Sequence, residues 1–212
     1  MISVLILTRD EEANLPACLD AVKWSDDITV FDSFSTDRTA DIARAHGARV
    51  IQRHFDNELA HRTASLHLDF KYPWVFNPDA DEVPEPGLYD EMLSAVNDAR
   101  RAEVAYRVRF KTMFMDRWIK HSSLYPTWVV RLFRPDRIRL EREINLRYRI
   151  DGTEGRLQQH LRHYTFHKGI DAWVAKHSRY AQVEARQNIT DLSHTSLRDL
   201  AGVFDFTDPV LR

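Results

Sequence analysis

The sequence predicts an α/β fold: a mostly parallel sheet with helices on both faces, then a second half of mixed strands. Three observations predict it. Short apolar runs alternate with stretches of helical periodicity through the first hundred residues. The first run, Ile2–Leu7, is continuously apolar, as in a strand buried on both faces. Polar clusters follow the first, second and fourth runs, at Thr8–Glu12, Asp32–Asp37 and Asn77–Glu82, where ligands collect in such sheets.

Taken in order, Ile2–Leu7 is the first strand. Asn14–Trp24 follows as a helix, with Leu15, Cys18, Leu19 and Val22 on one face. Ile28–Phe31 is the second strand. Ser35 or Thr36 caps a helix that runs to His46 and stops at Gly47. Arg49–Gln52 is the third strand and Glu58–Asp69 a helix. Trp74–Phe76 is the fourth strand, and Pro86 opens a helix to about Arg101. In the second half, Ala105–Phe114 and Trp128–Phe133 read as strands, Arg139–Ile150 alternates polar and apolar, and Ile170–Asn188 has helical spacing. The expected organisation is one domain over 1–212. Residues 1–102 form a ligand-binding half and 103–212 a second half.

Composition narrows the classes. The 212 residues suffice for one ordinary core. Cys18 is the only cysteine, which excludes an intramolecular disulfide or a cysteine zinc cluster and fits a reducing compartment. No run approaches the ~20 apolar residues of a membrane span, and MISVLILTRDEE reads as a buried strand, not a leader. The expected location is the cytoplasm. Residues 1–100 hold 9 Lys and Arg against 19 Asp and Glu, so the net −2 conceals a basic second half of +8. That half suits anionic partners such as diphosphates, phospholipid or an acidic glycan. Nucleic acid is not expected, since no recognition motif accompanies the charge.

Asp79-Ala80-Asp81 follows directly on an apolar strand. Two carboxylates two residues apart converge on a cation only if the turn bends suitably. Such a pair suits Mg²⁺ or Mn²⁺, which takes one or two carboxylates plus substrate phosphates. Asp32 at the second strand tip is placed to meet a base or ribose, whereas Asp37 reads as a helix cap. His160, His163 and His167 read as hydrogen-bonded or core histidines rather than a zinc site. His54 and His61 read as surface or pocket-wall residues.

The segments LILTRDEEANLPACLDAVKW, VFDSFSTDRTADIARAHGARV and WVFNPDADEVP, in this order and each at a strand end, resemble family 2 of the glycosyltransferases, which have the GT-A fold. The bacterial branch around lipopolysaccharide core β-glucosyltransferases is the most similar, and YPTWVVRLFRPDRIRLEREIN extends the likeness. The resemblance implies an inverting, metal-assisted transfer from a nucleotide sugar, UDP-linked by preference, to a glycan or lipid-linked acceptor. Thr8 and Glu11 would line the nucleotide pocket. Asp32 would touch base or ribose, Arg62 would lie near the diphosphate, and Arg131 would help hold donor or acceptor. Asp79 would sit by ribose and metal, with Asp81 the main metal ligand. Phe34 stands where the family usually has Gly, and Asp10 where it has Asn. The family's Glu, the expected general base, is replaced near Asn145-Leu146, which leaves Glu141 or Glu143 as candidates.

Two rival readings stay open at this point. A sugar-1-phosphate nucleotidyltransferase also uses a carboxylate pair, but TRDEEANL lacks the glycine-rich loop. A non-catalytic nucleotide-sugar-binding relative would explain the missing Glu. The chain also stops at FDFTDPVLR, where relatives of this branch continue. Residues after about Leu200 are therefore expected to be poorly anchored, and the helix over Ile170–Asn188 to expose apolar side chains. The resulting expectation is self-association and peripheral contact with the inner membrane.

Overall fold

A computed structural model describes residues 1–121, 125–142 and 146–193. The described backbone falls into two units, 1–168 and a second that begins at Gly169. The first contains β1 (Ser3–Thr8), α1 (Leu15–Val22), β2 (Ile28–Asp32), α2 (Thr39–Ala45), β3 (Arg49–Gln52), α3 (Glu58–Ser65), β4 (Val75–Phe76), β5 (Glu82–Pro84) and α4 (Leu88–Asn97). It continues with β6 (Glu103–Phe114), β7 (Arg117–Trp118), β8 (Trp128–Phe133), β9 (Ile138–Glu141), β10 (Arg147–Ile150) and β11 (Thr153–His163). The second unit contains α5 (Ile170–Ser193).

The main sheet runs β3–β2–β1–β4–β8–β6–β11–β5, with β7 attached to β6. From β3 to β4 all pairs are parallel. Beyond β4 the sheet is mixed: β8 is antiparallel to β4 and β6, β11 is parallel to β6, and β5 is antiparallel to β11. This is the expected α/β architecture, a parallel half followed by a mixed half.

Helices cover both faces. On one, Leu15, Leu19 and Val22 of α1, Ala43 of α2, and Leu88 and Met92 of α4 pack with Val4 and Ile6 of β1. On the other, Leu66 and Ala64 at the α3 end pack with Leu5, Phe31 and Val75. Burying each such Leu or Val contributes ~1.5–3 kcal/mol, so Leu19→Ala should cost ~2–5 kcal/mol. Local signals agree with this packing. Pro16 stands in the first turn of α1, where its missing N–H costs nothing. Asn57 caps α3 by accepting from Ala60 N at 2.8 Å.

The alternation in Arg139–Ile150 becomes a separate two-stranded antiparallel pair, β9 with β10, in which Ile138 faces Ile150 and Glu141 faces Arg147. Three strands of the main sheet, β5, β7 and β11, had no counterpart among the sequence-based expectations. The expected exposure on the last helix is seen within α5, where Ile170, Val174, Tyr180, Val183 and Ile189 are exposed. The segment after Leu200 lies outside the described residues. Among the described residues, no helix is long and apolar enough to cross a membrane.

Candidate active site

The tips of β1 and β2 are joined by a dense network around Asp32. Its carboxylate accepts from Thr8 Oγ1 at 2.9 Å, Ser35 N at 3.0 Å, Ser35 Oγ at 2.5 Å and Gln52 Nε2 at 2.9 Å. The residue is wholly buried, at 0% exposure. Burial alone would raise its pKa, but the hydrogen bonds from Gln52, Ser35 and Thr8 outweigh that and lower it. As arranged, Asp32 holds the pocket wall and does not offer a free carboxylate to base or ribose, the contact expected of it. Thr8 is likewise buried and turned onto Asp32.

The neighbouring loop is stitched to this wall. Asp10 N donates to Ser35 Oγ at 2.9 Å, and Thr36 N donates to Asp10 Oδ1 at 2.7 Å. Asp37 behaves as a cap, accepting from Thr39 N at 2.9 Å at the start of α2. Glu11 is held by Asn14 Nδ2 at 2.8 Å and Lys168 Nζ at 2.6 Å.

A charged centre occupies the tip of β4. Arg62 Nη2 donates to Asp79 Oδ1 at 2.8 Å, and Arg131 Nη2 donates to Asp79 Oδ2. Arg131 also grips Glu82, with Nε at 2.8 Å from Oε2 and Nη2 at 2.6 Å from Oε1. Glu82 in turn accepts from the Asp79 backbone N at 3.0 Å. Both partners of the Arg131–Glu82 pair are almost fully buried, at 8% and 1% side-chain exposure. Burial opposes the charged Asp79, but the guanidiniums of Arg131 and Arg62 prevail and hold its pKa far below the usual carboxylate range. For Glu82, burial prevails over Arg131, and the like charge of Asp79 adds to it, so its pKa rises. Of two carboxylates sharing one guanidinium, Glu82 is therefore the first to take a proton. Arg62 Nη1 is buried without a hydrogen-bond partner.

Asp79 turns to the two arginines, whereas Asp81 Oδ2 lies 3.4 Å from His163 Nε2. The end of β11 is pinned there by Tyr164 N donating to Asp81 O at 2.8 Å. Burial opposes charge on His163, but the hydrogen bond and charge of Asp81, with Glu82 and Asp79 behind, raise its pKa. Its Nδ1 is buried and unpartnered. A carboxylate beside an imidazole is a donor pair compatible with Mn²⁺. Among the described residues no cluster of three or more His, Cys, Asp or Glu could hold a metal alone. Asp79 lies near this pair but is engaged on both oxygens.

Sequence reasoning missed Glu82 and the task of His163. The other histidines are hydrogen-bonded as expected: His160 Nε2 to Tyr125 Oη at 3.0 Å and His167 Nδ1 to Asn14 Oδ1 at 2.8 Å. His54 is exposed and His61 buried. Glu141 is not brought into the charged centre. It sits exposed on β9 and accepts from Arg149 Nε at 2.8 Å. Glu143 lies outside the described residues.

Three kinds of comparison relate this chain to known proteins. Residues 3–165 match Glycosyl transferase family 2. An uncharacterized glycosyltransferase of Rickettsia typhi is 32% identical over 116 residues, covering 53% of this chain and 39% of that protein. One of Rickettsia bellii is 34% identical over 116 residues, covering 53% and 38%. The chain thus spans under two-fifths of the length of these curated relatives. Among solved structures, S. aureus TarS 1-349 in complex with UDP-GlcNAc is similar at TM-score 0.55 and 14% identity, covering 77% of this chain and 58% of that one. That likeness carries the fold. The sheet and the family match over residues 3–165 agree: the chain belongs to glycosyl transferase family 2.

Proposed function

We propose that the chain moves a sugar from a nucleoside diphosphate donor, UDP-linked by preference, to a glycan or lipid-linked acceptor of the cell envelope. The placement beside lipopolysaccharide core β-glucosyltransferases is part of this proposal, as are inversion at the anomeric carbon and cytoplasmic work, with peripheral contact at the inner membrane. The observation that carries the reading is the charged centre. Arg62 and Arg131 fix Asp79 at the tip of a parallel strand, Asp81 and His163 stand beside it, and Arg62 Nη1 has no partner.

In this reading the first half receives the donor and the half from residue 103 onward the acceptor. Thr8 and Asp32 shape the nucleotide wall, with Glu11 on the neighbouring loop. Arg62 Nη1 meets the diphosphate. Asp81 and His163 hold Mn²⁺ or Mg²⁺, with Asp79 oriented beside them. A divalent cation bound there neutralises charge on the departing diphosphate. Arg131 keeps Asp79 ionised and in place, and Glu82 keeps Arg131 in place. A carboxylate, Glu143 rather than the Arg149-paired Glu141, takes the acceptor proton as its oxygen attacks from the side opposite the diphosphate. This single displacement needs no covalent nucleophile. General-base catalysis supplies ~10²–10⁴-fold.

The test is a panel of UDP-, GDP- and dTDP-sugars with Mn²⁺, read as thermal shift and donor hydrolysis. A UDP-sugar should raise the melting temperature and be slowly hydrolysed. No shift and no hydrolysis with any donor would overturn the reading. For the base, Glu141→Gln and Glu143→Gln are compared in acceptor transfer. If neither lowers transfer at least tenfold, the base is another group.

A further inference from the structure

We propose that the ring of Phe34 is the surface on which the donor's nucleobase stacks; this rests on the nucleotide-donor reading above. Phe34 follows the β2 tip with φ +55°, in the left-handed region. For an L residue with a bulky side chain this conformation is strained, while glycine adopts it freely. The loop demands the turn, because Ser35 must fold back so that its N and Oγ both reach Asp32. Asp10, φ +53°, turns the facing loop in the same way, but aspartate tolerates that region and phenylalanine does not. Met115, φ +49°, is the other bulky apolar residue with positive φ, and it sits in the two-residue turn between β6 and β7, which calls for such angles. A phenylalanine at position 34 therefore contributes something that the backbone alone does not require.

The ring supplies it. Phe34 stays 43% exposed, although it lies flat on His54, with centroids 4.1 Å apart and planes 19° apart. Phe55, also 43% exposed, lies next in sequence to His54. Two buried polar groups at this strand tip are already engaged: both oxygens of Asp32 are occupied, and Ser33 Oγ is engaged with His61 Nε2 at 3.1 Å. What this rim offers a base is a π face braced from behind by an imidazole. Every base has a π face, so stacking suits this wall where hydrogen-bonded readout does not.

The test titrates UDP and, separately, inorganic pyrophosphate, each with Mn²⁺, into the wild-type chain and into Phe34→Gly and Phe34→Tyr, with melting temperatures recorded. Phe34→Gly should weaken UDP binding about tenfold, leave pyrophosphate binding within twofold, and not lower the melting temperature, since glycine relieves the turn. Phe34→Tyr, which keeps the ring, should bind UDP within about threefold of wild type. If wild type binds pyrophosphate but not UDP, or binds neither, the donor reading itself fails. Wild type binding UDP with Phe34→Gly binding it equally well would overturn the platform alone. So would a Tyr variant as weak as the Gly variant, or equal losses for UDP and pyrophosphate.

Discussion

Asp32 and Asp79 occupy equivalent places, each at the tip of a parallel strand in the first half, yet their surroundings share nothing. Asp32 accepts only neutral donors: two hydroxyls, a backbone amide and a side-chain amide. Asp79 accepts from two guanidiniums, one of them shared with a second buried carboxylate. A neutral network satisfies one charge and stops there. A guanidinium cage leaves donors over, such as Arg62 Nη1, and concentrates charge where a diphosphate would arrive. The same residue type thus builds a wall at one tip and a reactive centre at the next, and the partners decide which.

The largest expected effect breaks the cage. Arg131→Ala leaves Glu82 buried without its cation and Asp79 with Arg62 alone, at a cost of ~3–5 kcal/mol. At ~2–4 °C per kcal/mol for a domain of this size, the melting temperature should fall by about 10 °C. A drop under about 2 °C would mean that water already solvates the pair. Adding Glu82→Leu to an Arg131→Met background should restore part of that stability without restoring donor binding.

Removing the wall is next. Asp32→Ala leaves buried hydroxyl and amide groups unpaired, which should cost ~2–3 kcal/mol. Because the folded-state pKa of Asp32 lies below its unfolded value, its contribution is complete above about pH 4 and disappears as pH falls through the lowered folded value. Wild type should therefore lose melting temperature more steeply than Asp32→Asn below about pH 4. Parallel curves would show that Asp32 is not lowered. In kinetics, Asp32→Ala should raise the donor KM more than it lowers kcat, since a wall shapes ground and transition states alike. A fall in kcat at unchanged KM would assign it a part in the chemistry.

The smallest effect is the control. Lys71 and Asp26 are both exposed, so Asp26→Asn should leave the melting temperature unchanged within error and also leave donor binding intact. A measurable loss there would mean that surface pairs rival the caged one and would weaken the contrast.

Legibility in the sequence follows from where each residue finds its partner. The strands β1, β2 and β4 were readable because they are buried on both faces and so spell nearly continuous apolar runs. Asp79 and Asp81 were readable because they follow such a run directly. β11 was not, since its two fully buried apolar residues, Leu157 and Leu161, are four apart, and a register shift between Arg156 and His160 interrupts its pairing with β6. A spacing of four mimics a helix and hides the period of two. Glu82 was missed because its burial depends on Arg131, 49 residues later. His163 was missed because it reaches Asp81 only once β11 has paired with β5. Phe34 was visible as a departure from a glycine, but that the turn keeps its positive φ while holding a ring is knowable only from the backbone.

The central claim is that Asp81 joins the metal to the donor. Isothermal titration of UDP into wild type and Asp81→Ala, each in Mn²⁺ and again in excess EDTA, tests it most directly. UDP should bind wild type in Mn²⁺ at least tenfold more tightly than in EDTA. Asp81→Ala should bind alike in both, with a melting temperature close to wild type. Equal UDP binding by wild type with and without Mn²⁺, or full Mn²⁺ dependence in Asp81→Ala, would contradict it.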